Sequence, residues 1–143
     1  MTAKEYLEQY KQAKKRANML RAEYEKEELQ LDAIRSASNM DGMPHGTGIN
    51  RTVENKAIRL ADKALAWKVA ELDALKLRQE IFDVIYRLPS PENEILYERY
   101  VELNTWAVVC RNVSMSWSAV RSHHNAALEK YDKTLKNIKY NNK

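Results

Sequence analysis

The 143-residue chain has little of what stabilises small secreted or β-rich proteins: one cysteine, three glycines, three prolines and a single phenylalanine. One cysteine excludes an intrachain disulfide and suits a reducing compartment. So few glycines and prolines argue against the frequent turns of an all-β sandwich or barrel. No run approaches the roughly 20 consecutive apolar residues that span a bilayer. Lys4, Glu5, Glu8 and Lys11 break up the start of the chain, where a secretory segment would need an apolar core. These absences predict a soluble, cytoplasmic protein with no membrane partner. What is present is 44% apolar and 31% charged residues, a balance suited to long helices with one solvated face.

Charge is unevenly placed. Residues 116–143 carry Arg121, Lys130, Lys133, Lys136, Lys139 and Lys143 against Glu129 and Asp132, which accounts for the whole net charge of +4. A basic end of this kind can sit against phosphates, where counterion release drives binding. It can equally be a solvated, frayed terminus.

The first segment, residues 2–39, opens with Thr2 and Glu5 in capping-box spacing. Ala3, Tyr6, Tyr10, Ala13, Ala17, Leu20, Tyr24, Leu31 and Ile34 then follow steps of three and four, interrupted by Glu27. Such steps keep one stripe turned to a partner helix, as in a coiled coil. Residues 36–50 hold all three glycines and Pro44, so a loop at 37–50 is expected to reverse the chain. Gly46-Thr47-Gly48 lacks the length and the Lys-Ser/Thr of a phosphate cradle, and His45 has no ligand-spaced partner. From about 52 to 87 a second helix is predicted to pack through Ile58, Ala61, Leu65, Leu72, Leu75, Phe82 and Ile85. Leu60, Ala64, Val69 and Leu77 widen this face enough for more than one neighbour. Trp67 falls off the narrow stripe, as an edge residue or a self-association contact. Leu88-Pro89 ends the helix.

Residues 90–131 read as three short helices. Ser90-Pro91 is placed as N-cap and first helical residue, followed by Ile95, Leu96, Tyr100 and Val101 at helical spacing. Asn104 ends this helix and Thr105 caps the next, Trp106 to Arg111. After a turn at 112–114, Ser116 caps a longer helix with Val120, His123, Ala127 and Tyr131 on or near one face. Two helices across a tight turn, the second longer and basic, form a helix-turn-helix. The expected fold is therefore all-α: a long antiparallel, coiled-coil-like helical hairpin (1–88), a helix-turn-helix module (89–133) and a basic tail (134–143). Helices as long as the first two need each other, the C-terminal helices or a second subunit to cover their stripes. A homodimer and an intrachain hairpin both meet that need.

The run Arg99-Tyr100-Val101-Glu102, Thr105-Trp106, Val109-Cys110, Val113, Ser116, Val120 and His124 with Ala127-Leu128 resembles the helix-turn-helix of sigma-factor region four. It is closer still to the C-terminal variant in ArpU-like late transcription regulators of phages of Gram-positive bacteria. Their relatives carry a MPxGxG-type loop before a long central helix, and Met43-Pro44-His45-Gly46-Thr47-Gly48 stands in that place here. The resemblance implies a DNA-binding phage transcriptional regulator acting in the host bacterial cytoplasm on double-stranded DNA. Two departures stand out. Ala107 and Val108 replace the acidic residues usual after the first helix's aromatic, and Trp117-Ser118-Ala119 replaces a basic pair, leaving Arg121.

In that reading the exposed N-terminal half of the last helix faces the major groove. Arg121 can fork to a guanine edge or grip phosphate, and Asn125 can pair with adenine. Ser116, Trp117, Ser118 and Ser122 surround them, with Ser116 and Ser118 able to donate to phosphate. Thr105 and Arg111 belong to the preceding helix, which crosses the backbone, and Lys130 adds a cation further on. The alternative is a phage protein-binding inhibitor or adaptor directed at a host protein, for instance an anti-host-defence protein, reusing the fold with Trp106 and Trp117 as anchors. An enzyme is not expected: Cys110 has no base partner, and His123 and His124 point about 100° apart on a helix. Neither a cofactor nor a metal is implied.

Overall fold

The computed structural model describes residues 1–40 and 47–143, with side chains described outside 38–50. All of its regular structure is helical: α1 (Ala3–Met40), α2 (Thr47–Ile85), α3 (Glu92–Leu96), a π-helical turn (Tyr97–Val101), α4 (Trp106–Val113) and α5 (Trp117–Asn141). The long α1–α2 hairpin followed by a shorter-helix bundle is the expected all-α architecture. Of the loop expected at 37–50, residues up to Met40 and from Thr47 on are helical. The Met43-Pro44-His45-Gly46 stretch lies outside the described residues. No described helix is long and apolar enough to cross a membrane.

The chain divides into two compact units, neither of which follows the expected boundary at 88. One joins Met1–Gln12 to Ala74–Lys143; the other is Ala13–Asp73. Within the second unit α1 and α2 run antiparallel. Tyr24 stacks on Trp67 with ring centroids 5.5 Å apart, Arg21 sits over the same indole, and one helical turn on Lys63 reaches Glu27 at 2.7 Å. Glu27, the break in the α1 stripe, is thus matched by a cation, and the hydrogen bond from Lys63 holds its carboxyl below the usual range.

The α1 stripe packs as expected, with Tyr10, Ala17 and Leu31 buried, and Leu7, which the stripe omitted, fully buried as well. The α2 stripe packs only at its C-terminal end, where Ile85 is buried and Phe82 partly buried. Ile58, Leu65, Leu72 and Leu75 are exposed, as is Ala61. The packed face is a parallel row instead, through Ala57, Leu60, Ala64, Trp67, Ala70 and Ala74 to Ile81. On that row Trp67 stacks on Tyr24 of α1. Trp67 is therefore on the seam rather than off it.

In the other unit, Leu7 and Tyr10 belong to the same buried set as Ile81, Val84, Ile85 and Leu88. The Thr2–Glu5 capping box forms in both directions, with the Thr2 backbone N–H donating to Glu5 Oε2 at 2.8 Å and the Glu5 N–H to Thr2 Oγ1 at 3.3 Å. Ser90 does not cap α3. The Ser90–Pro91 bond is cis, Pro91 is itself the N-cap, and the Ser90 hydroxyl donates to Glu94 at 3.4 Å.

Candidate nucleic-acid interface

Three helices build the candidate site. Ile95 of α3, Val109 of α4 and Val120 of α5 form a fully buried cluster, with Trp106, Cys110, Val113 and Met115 packed around it. Burying an aliphatic side chain is worth roughly 1.5–3 kcal/mol each, so this cluster fixes how α4 and α5 cross. The turn between them is set by Ser114, which adopts the left-handed conformation (φ 57°, ψ 44°) and returns its N–H to the Arg111 carbonyl. Ser116 then caps α5, its hydroxyl accepting from the Ala119 N–H at 3.3 Å. Thr105 occupies the N-cap position of α4 without a side-chain cap bond.

Thr105, Arg111, Ser116, Ser118, Arg121, Ser122 and Asn125 are all exposed, and Trp117 is 48% exposed. On α5, Trp117, Ser118, Arg121 and Asn125 fall within about 100° of one another, because steps of three and four return to one face. Lys130 does not join them. Nine residues on from Arg121 at about 100° each, it lies on the opposite flank, where its ammonium reaches the buried carboxylate of Glu92 at 2.6 Å. That contact holds the Glu92 carboxyl below its usual range. Over the N-terminal half of α5 that face therefore presents one cation, Arg121, among short polar side chains, with Lys136 and Lys139 further along it.

Behind it stands a buried aromatic pack that the sequence reading did not assemble. His124, not His123, turns into the core. Its Nε2 lies 2.8 Å from the Tyr100 hydroxyl, its ring stacks on Tyr100, and Trp106 meets it edge-on at 4.8 Å between centroids. Burial lowers the His124 pKa to about 4 and pushes Tyr100 up to about 12, so a neutral imidazole meets a neutral phenol. Trp106 also takes the Arg99 guanidinium over its ring at 4.5 Å and the edge of Trp117 at 5.3 Å. Arg99 in turn donates to the Asn104 carbonyl at 3.0 Å. The spacing signal was there: Val120, His124, Ala127 and Tyr131 advance by four, three and four, a cleaner core line than one through His123.

An apolar groove of about 270 Å³ opens elsewhere in this unit, walled by Phe82, Ile85, Tyr86 and Tyr97. No protein-family model, curated protein or solved structure matches the chain.

Proposed function

We propose that this chain is a DNA-binding phage transcriptional regulator that lays the N-terminal half of α5 in the major groove of double-stranded DNA, as a homodimer in the host bacterial cytoplasm. One observation carries the reading. Seven polar residues expected to contact DNA stand exposed around the α4–α5 turn, with Trp117 half-exposed beside them, while Val109 and Val120 fix the helices from beneath. A helix N-terminus with exposed serines favours phosphate oxygens, and Arg121 is the side chain able to fork to a guanine edge. Fluorescence anisotropy on duplex DNA from upstream of the chain's own gene, across a salt series, tests it. Binding at 50 mM salt that weakens steeply as salt rises and drops at least tenfold in Arg121→Ala supports the reading; no binding at low salt rejects it.

A second reading is favoured by Trp117. A half-exposed indole beside a single cation fits a protein-binding anchor better than a phosphate track. In that case the chain is an inhibitor or adaptor directed at a host protein. Trp117→Ala would then abolish a protein complex that Arg121→Ala leaves intact.

A further inference from the structure

The second unit has an apolar row that the hairpin does not use. Ile58, Leu65, Val69 and Leu72 are 62%, 64%, 50% and 57% exposed, with exposed Ala61 between them. Their spacing of three, four, four and three places them on one stripe of α2, within about 40° of its centre line. A stripe of large aliphatics repeating every seven residues is the sequence form of a helix-to-helix seam. The intrachain seam occupies a different face, through Leu60, Ala64 and Trp67.

We propose that this stripe pairs antiparallel with the same stripe of a second copy, about a two-fold axis passing Leu65. The inference deepens the homodimer part of the proposed function by assigning its surface and register. Charge selects the occupant and the direction. Glu54 stands on the centre of the stripe one turn before Ile58, and Lys76 stands there one turn beyond Leu72, on the same continuous helix. Antiparallel pairing centred on Leu65 sets Glu54 of each copy against Lys76 of the other at both ends. Between them Ile58 meets Leu72, Ala61 meets Val69, and Leu65 meets itself. On one flank, Arg59 falls beside Asp73. Parallel pairing in register would instead stack Glu54 on Glu54 and Lys76 on Lys76, which like-charge repulsion disfavours. One helix thus carries both halves of a complementary pattern, as an isologous interface requires. From Glu54 to Lys76 the contact is about 33 Å long.

Sedimentation equilibrium of the full chain without DNA is expected to show a reversible monomer–dimer equilibrium, weakened at least tenfold by Leu65→Glu. Glu54→Lys and Lys76→Glu should each weaken it, and mixing the two single variants should restore it, because only the mixed pair has opposite charges at both ends. In a Cys110→Ser background, Leu65→Cys should cross-link to itself on mild oxidation, whereas Ile58→Cys should cross-link only to Leu72→Cys. The substituted α2 positions are exposed, and circular dichroism confirms that each variant, including the Cys110→Ser background, keeps its helices. A monomer at every concentration, a dimer indifferent to Leu65→Glu, or self-cross-linking at position 58 overturns the proposal. A monomer that still binds DNA sinks the dimer and this interface but leaves DNA binding standing; a dimer that ignores DNA sinks the regulator reading alone.

Discussion

Tyr131 is fully buried at the centre of α5, and its hydroxyl finds no hydrogen-bond partner among the described residues. Tyr6 lies against it at 6.3 Å between ring centroids, but that phenol donates to Glu80. An unpaired buried hydroxyl costs about 1–3 kcal/mol, so Tyr131→Phe should leave urea stability unchanged or raise it by up to about 1 kcal/mol. Glu92 is the opposite case, a buried carboxylate answered by one half-exposed lysine. Lys130→Met should cost about 1–2 kcal/mol, less than a fully buried pair because water already screens the lysine. His124 makes stability depend on pH. Its folded pKa, about 4, lies below the ordinary 6.5. As pH falls through 6.5 the unfolded chain takes up a proton that the folded chain refuses. Roughly 2–3 kcal/mol should therefore be lost between pH 6.5 and 4, levelling off below. His124→Gln should flatten that slope in urea titrations at successive pH values. Lys130 looked from sequence like one more cation for DNA, because pairing with a residue thirty-eight positions away leaves no trace in local spacing.

At the level of elements, α4, the turn and α5 were legible because caps and turn residues act locally. Thr105 and Ser116 stand at the N-caps, and the 112–114 turn closes on Ser114. A serine there holds a positive φ that suits glycine better. Ser114→Gly should raise thermal stability by about 0.5–1 kcal/mol without altering the helices by circular dichroism. The α2 face was not legible, for a physical reason. The helix carries two apolar rows, and periodicity finds both without saying which meets α1. The choice depends on what a different segment presents, such as Tyr24 of α1, which stacks on Trp67. Likewise the basic tail expected at 134–143 continues α5 as helix to Asn141. Nothing in that stretch breaks a helix, and the segmentation had followed charge instead.

Across the whole chain the core is divided very unequally. Within 13–73, Ala17 and Leu31 are the buried apolar residues among those described, while the other unit buries Leu7, Ile81, Ile85, Ile95, Val109, Val120 and Tyr131, among others. Local opening free energy follows buried apolar contact. Amide hydrogen exchange should therefore run at least roughly tenfold faster over 13–73 than over 106–131 in the monomer, and dimerisation through α2 should slow it in the first stretch only. The sequence segmentation cut the chain at Leu88-Pro89, where proline stops a helix. The structural division instead cuts across both long helices, because compactness follows contacts between distant segments, such as Tyr6 with Tyr131.

The placement of the indoles follows the same division. Trp67 rests on Tyr24 inside 13–73, whereas Trp106 and Trp117 touch each other in the other unit. Each half of the protein thus carries its own built-in optical label. In a Trp67→Phe chain, tryptophan emission reports on Trp117 of the proposed DNA face and on Trp106 packed behind it; in a chain with Trp106 and Trp117 replaced, it reports on the hairpin stem.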